Sequence, residues 1–200
     1  MTCADVSATA LLSALKNAKL FAALPKAQRP TIQSSEWTFT KDGIQIVTTD
    51  SFALLIEQVE ATVPDEMVGQ VRHAAVCDMA PLIATLKGRG RHGRAVLLVD
   101  DDSLSIGDGN GVNGTLYRFT SAGAFPNWAP LIPDGLFEGG ISAMDGPLGL
   151  GLPQLKRIGS IKCNEGPKTP AKCHAVGAHN AVGIEIGSMI RVLQMPVRIP

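Results

Sequence analysis

Between Ala8 and Leu24 the apolar side chains recur at helical spacing: Leu11, Leu15, Ala18 and Ala22 share one face, with Ser13, Lys16 and Asn17 off it. Pro25 closes the stretch, and Leu20 and Phe21 break the stripe, so the pattern predicts a helix stopping near Lys19. Residues 2–7 alternate weakly and predict a short strand before it. From Thr31 the period changes to two. Ile32, Trp37 and Phe39 begin one strand, the Lys41-Asp42-Gly43 turn leads to Ile44, Ile46 and Val47, and a third strand runs from Phe52 to Val63. Val71 to Val76 reads as a further strand. Asp78 is placed to cap a second helix, whose Met79, Leu82, Ile83 and Leu86 keep the i, i+3, i+4, i+7 spacing up to Gly88. Three strands follow: Ala95 to Val99, Ser103 to Ile106 and Thr115 to Thr120.

Residues 1–122 therefore read as strand, helix and three strands, followed by the same unit again: two βαβββ units whose sequences are not alike. Residues 123–147 form a connector rich in Gly and Pro. Residues 148–200 read as the unit once more, a half-size domain. It opens on a strand at Leu148 to Leu152, then a helix with Pro153 in its first turn and Leu155, Ile158 and Ile161 on one face. Cys173 to Val176, Ala181 to Ile186 and Ile190 to Ile199 are its three closing strands. Sheets on one side and short helices on the other make the expected class α+β.

Composition narrows the chemistry. The 200 residues are 45% hydrophobic and 18% charged with no net charge, which fits a globular chain and argues against wholesale coating of nucleic acid. Aromatics are only 4%, so Leu, Ile, Val and Ala must build the core. The N-terminus lacks the basic and apolar runs of a signal peptide, so a cytoplasmic location with reduced cysteines is expected. Gly109, Gly111 and Gly114 spell a dinucleotide motif, but the strand-like Thr115, Leu116, Tyr117 and Phe119 follow where a helix is required, and a hairpin turn is the better reading. Asp100, Asp101, Asp102 and Asp108 lack the spacing of a calcium loop. Cys163, Cys173 and His174 match no zinc pattern, and His73, His92 and His179 accompany no recognisable nucleophile. The expectation is a protein without enzymatic activity, metal or cofactor.

The bases are more suggestive. Lys16 and Lys19 lie on the first helix; Lys87, Arg89, Arg91 and Arg94 cluster at and after the end of the second; Lys156, Arg157 and Lys162 lie on or beside the third. If the helices line one surface, these side chains form a lane that holds phosphates without choosing sequence. Alternatively, they only complement the helix macrodipoles. The residues alone leave both readings open.

Three segments carry a resemblance to a known family. Val47-Thr48-Thr49-Asp50-Ser51-Phe52-Ala53-Leu54 resembles the "ATDxxRLA" signature of the bacterial DNA polymerase III beta sliding clamps. Phe125-Pro126-Asn127-Trp128-Ala129-Pro130-Leu131-Ile132-Pro133 is similar to that family's "FPDYxxVLP" connector. Val192-Leu193-Gln194-Met195-Pro196-Val197-Arg198-Ile199 is similar to its closing "VVMPMRL". Their order and spacing match the second and third domains of a clamp. One repeat and the usual first domain have no counterpart here, and Ala53 and Pro130 stand where the family usually has arginine.

The resemblance implies a clamp fold with sheets outside and helices toward duplex DNA. Its function would be to tether polymerase, loader or repair proteins as a processivity factor in the nucleoid. It also implies an apolar cleft for short motifs, a Gln followed by aliphatic and aromatic residues. Carried over residue by residue, the cleft walls are Thr49, Ser51, Leu54, Pro126, Leu131, Leu193, Met195, Pro196, Val197 and Arg198. Family rings close with six domains, so counting two domain-sized pieces per chain implies a homo-oligomeric ring, a trimer. A monomeric mimic that captures such motifs is the alternative. A small-ligand or enzyme domain built on the Gly109–Gly114 loop is the reading from another class.

Overall fold

The computed structural model describes residues 2–88, 93–100, 103–107, 116–118, 124–137, 149–166, 168–175 and 181–197. The first unit is β1 (Thr2–Ser7), α1 (Ala8–Phe21), β2 (Ser34–Thr40), β3 (Gly43–Thr49) and β4 (Ala53–Val59), with a two-residue β5 (Ala61–Thr62) after it. The second is β6 (Val71–Ala75), α2 (Ala80–Lys87), β7 (Arg94–Val99), β8 (Ser103–Gly107) and β9 (Leu116–Arg118). The third comprises α3 (Leu152–Ile158), β10 (Ala171–Ala175), β11 (Val182–Ile186) and β12 (Ile190–Gln194).

Local chemistry explains most boundaries. The Ser7 side chain accepts the Ala10 N–H and starts α1. The helix runs to Phe21, past the predicted stop, because Phe21 is fully buried against the third unit. Gly43, at φ +133°, makes the β2–β3 turn; a Cβ there would lie 2.2 Å from the Val59 carbonyl oxygen. A one-turn helix, Val76–Met79, precedes α2, so the helix proper begins at Ala80 rather than directly after Asp78.

The long strand predicted from Phe52 to Val63 is two strands. β4 and β5 are split at Glu60 and belong to different sheets, β5 pairing with β1. The strand predicted at Leu148 to Leu152 is not formed over its described residues: Gly149–Gly151 are irregular and Leu152 already opens α3.

All pairings are antiparallel, in a five-stranded sheet ordered β5-β1-β7-β8-β9 and a seven-stranded sheet ordered β10-β11-β12-β4-β3-β2-β6. Units one and two exchange their first strands, β1 joining β7 and β6 joining β2. The third unit extends the first unit's sheet through β12 and β4, with Leu193 opposite Leu54. The helix side of the sheets holds two cores. One is built around Leu11, Leu15, Trp37, Phe39 and Leu82, the other around Phe21, Leu55, Val182, Ile184 and Val192. A third core, with Val47, Leu54, Phe125, Leu136 and Leu193, lies on the opposite sheet face beneath the connector. No helix among the described residues is long and apolar enough to cross a membrane.

Candidate peptide cleft and basic helix face

The cleft begins with a tight turn between β3 and β4. Asp50 Oδ1 accepts the Phe52 and Ala53 N–H groups at 2.9 and 2.8 Å, while Thr49 Oγ1 donates to the Ala53 carbonyl at 2.8 Å and accepts the Ser51 N–H at 3.1 Å. This side-chain network holds Ser51 at φ +80°, a backbone region that few non-glycine residues enter. The turn pushes Phe52 outward, 69% exposed.

The chain leaving β12 closes the other side. Met195 donates its N–H to the Phe52 carbonyl at 2.9 Å, and Gln194 Nε2 donates to the same carbonyl and to that of Met195, both at 3.1 Å. Gln194 Oε1 accepts from Arg157 at 3.2 Å, and Arg157 also forms an ion pair with Asp50. One arginine of α3 thus joins the two backbone segments that border the cleft.

The connector supplies the remaining wall. Phe125 is buried and stacks on His73 with centroids 6.0 Å apart, and Trp128 Nε1 donates to Glu36 Oε1 at 2.9 Å. Leu136 and Phe137 lie across β11 at Gly183, where a Cβ would come within 2.8–2.9 Å of both side chains. Glycine is required there so that the connector can lie flat on the sheet.

These segments enclose a concavity of about 480 Å³ lined by Thr49, Ser51, Phe52, Ala53 and Leu54, by Pro130, Leu131 and Pro133, and by Ala181, Leu193 and Met195. Its size suits a ligand of a few side chains, and its lining is mainly apolar. Of the expected wall residues, Thr49, Ser51, Leu54, Leu131, Leu193 and Met195 line it. Pro126, Pro196 and Val197 do not line it, the Val197 N–H instead meeting the Gly149 carbonyl at 2.9 Å before α3, and Arg198 lies outside the described residues. Phe52, Ala53, Pro130, Pro133 and Ala181 also line it and were not among the expected residues. All but Ala181 stood inside the signature segments, and for Phe52 the large apolar side chain in a tight turn was the available signal.

The opposite side carries the helices. The segments of α1, α2 and α3 contain Lys16, Lys19, Lys87, Lys156 and Arg157 but no Asp or Glu. Macrodipole matching alone would also place acids in the first turns, and none of the three helices has one there. Lys19, Lys87, Lys156 and Lys162 are exposed and Lys16 half-buried. Two expected members are differently engaged. Arg94 lies on β7, paired with Asp5 at 2.6 Å, and Arg157 is held by Asp50, Gln194 and the ring of Phe21, 4.9 Å away. Arg89 and Arg91 fall outside the described residues, as do Gly109, Gly111 and Gly114. Among the described residues no group of His, Cys, Asp or Glu could hold a metal, and His174 instead pairs with Glu185 at 3.0 Å.

Neither protein-family models nor curated proteins match this sequence. Solved structures do. They include the DNA polymerase III beta subunit of Thermotoga maritima, at 14% identity and a TM-score of 0.74, covering all of this chain and 66% of that one. They also include the sliding clamps of Bacillus subtilis (14%, TM-score 0.70, 99% and 64% covered) and Pseudomonas aeruginosa (11%, TM-score 0.73, 99% and 66%). The chain thus spans about two thirds of the length of the clamps it matches. From end to end, it has the fold of the bacterial DNA sliding clamps.

Proposed function

We propose that this protein acts as a sliding-clamp-like tether: it holds duplex DNA on its helix face and captures short linear motifs of polymerase, loader or repair proteins in the cleft of Leu54, Leu131, Leu193 and Met195. The observation that carries the reading is the convergence of three distant segments on one apolar concavity. The 49–54 turn, the 130–133 stretch and the end of β12 are the segments that carry the family signatures, and only the fold brings them together. Shape and lining suit an extended peptide, and a methionine at the lip accommodates varied side chains. The acid-free helices supply the phosphate-facing surface through Lys16, Lys19, Lys87, Lys156 and Lys162, which would grip the backbone without reading bases. No chemistry is performed; function follows from holding.

Peptide binding is the direct test. A fluorescent peptide with a Gln followed by aliphatic and aromatic residues is titrated against the protein and read by anisotropy. Leu131→Glu with Met195→Glu, both at exposed positions (58% and 45%), should leave the fold intact and weaken binding at least about tenfold, the cost of placing charge in an apolar site. Equal affinity for the double variant removes the cleft from the proposal.

A second reading keeps the cleft and drops the ring: a clamp mimic that captures the same motifs as a monomer. It is favoured by the convergence of all three cleft segments within a single chain, so that motif capture needs no second copy.

A further inference from the structure

The helix side carries a second cavity, of about 270 Å³, where α1 and β4 meet the third unit's residues 162–165 and its Gly187–Met189 turn. Ala10, Met189 and Ile190 give it apolar walls. Glu57 lines it from β4 although the residue is only 3% exposed.

The carboxyl of Glu57 is poorly served. Asn17 Nδ2 donates to its Oε2 at 3.0 Å, and that amide has nothing more to offer: Nδ2 also donates to the Lys162 carbonyl at 2.8 Å, and Oδ1 accepts the Lys162 N–H at 2.7 Å. Oε1 is left without a hydrogen-bond donor among the described residues. Burial accordingly pushes the carboxyl up to about 7, against a smaller lowering by Asn17.

The surrounding charge has one sign. Glu60 and Glu165 are on the rim, and neither Lys nor Arg lines the cavity. Glu165 is fixed there by the Ser188 N–H and hydroxyl at 2.6 and 2.7 Å, which hold its carboxyl below the usual range and therefore ionised. Gly187, at φ +62°, makes room for it, since a Cβ would lie 2.4 Å from a Glu165 oxygen.

We propose that this cavity binds an alkylammonium group, such as a polyamine or a lysine side chain presents. The ammonium donates to Glu57 among three carboxylates, and the alkyl stem lies along Met189 and Ile190. An ammonium has three N–H donors and a positive charge, which are what an under-bonded, desolvated carboxylate lacks. The inference is independent of the clamp reading, because neither the peptide cleft nor a DNA lane requires a buried acid at this seam.

The test is calorimetric titration of the whole chain with 1,5-diaminopentane, spermidine and a capped Gly-Lys-Gly peptide, with n-pentanol and tetramethylammonium as controls. The two amines, the lysine peptide, or both should saturate, separating a free polyamine from a protein lysine as the source. Pentanol has the stem without the charge, tetramethylammonium the charge without donors, and neither should bind. Glu57→Gln keeps an acceptor for Asn17 and should bind at least tenfold more weakly. Glu60→Gln, on the exposed rim, should lose a few fold and serves as a second variant. Affinity should rise with pH up to about 7 and level off, since binding requires the Glu57 proton to leave; Glu60, Glu165 and Cys163 are the other titratable groups lining the cavity, and Lys162, which meets Asn17 through its backbone, does not line it. No saturation by any amine, or equal affinity in Glu57→Gln, overturns the proposal and leaves the cavity a solvated seam.

Discussion

Glu57 makes the folded state sensitive to pH near neutrality. Its carboxyl ordinarily titrates at 4.5 and is raised to about 7 by burial, so the folded protein keeps a proton that the unfolded chain has already released. The stability from that proton is complete below about pH 4.5, is lost as pH climbs to about 7, and changes no further above it. The expected loss is on the order of 3 kcal/mol, since each tenfold difference in proton affinity between folded and unfolded states is worth about 1.4 kcal/mol. Chemical denaturation at several pH values should show that decline in the native chain and a flatter profile in Glu57→Gln. A native profile already flat between these limits would mean that the site is hydrated. This residue illustrates what the sequence conceals: a glutamate in a strand reads as a solvent-facing position, and only the placement of α1 and residues 162–165 over β4 buries it. Thr49, Leu54 and Met195 were legible because the family signatures carry them. Ala181 was not, because a lone alanine enters the cleft wall only through the pairing of β11 with β12.

At the scale of elements, two joints hold the cleft. Gly183 lets Leu136 and Phe137 lie against β11. Gly183→Val should force the connector outward, costing about 1–3 kcal/mol and weakening peptide binding together with thermal stability. If stability falls while binding is unchanged, the connector wall does not contribute to the cleft. The second joint is Asp50, which uses one oxygen for the 50–53 turn and the other for Arg157. Asp50→Asn keeps the turn acceptor and removes the charge, whereas Asp50→Ala removes both, so urea midpoints should fall in the order native, Asn, Ala. Equal midpoints for the native chain and Asp50→Asn would leave the charge without a role, and equal midpoints for the two variants would leave the turn acceptor without one, as measured bonds to charged groups are worth about 1.5–3 kcal/mol. Helices and hairpins in the first two units were readable from periodicity. The split at Glu60 was not, because Phe52 to Val63 is continuous in strand composition and the change of sheet is a tertiary event. The opening strand of the third unit failed for a related reason: a Gly-Leu repeat has strand-like alternation, yet no neighbouring strand pairs with its described residues.

For the whole molecule, the signs and faces of the surface make separable predictions. Acid-free helices on one side call for DNA binding that depends on salt. Replacing Lys16, Lys19 and Lys156 with Glu should weaken duplex binding at low salt and flatten the slope of log affinity against log salt by about one for each phosphate no longer neutralised. An unchanged slope would assign those lysines to ordinary solvation. Assembly is a matter of edges and uncovered faces. Units one and two complete each other by exchanging first strands and packing α1 on α2, with each opening strand bordering the other unit's second strand. Among the described residues the third unit's strands are joined to the others only through β12 to β4: β10 is a sheet edge, and α3 leaves Leu152 80% and Leu155 46% exposed. A tether that encircles DNA, as proposed, needs those surfaces covered, which further copies of the same chain would do. Light scattering across a wide concentration range should then give a closed assembly of about three chain masses, with Leu152→Glu and Leu155→Glu shifting it toward single chains. A strict monomer at every concentration would remove the ring and leave the motif-capturing mimic, because a chain that cannot close around DNA has no topological hold on it.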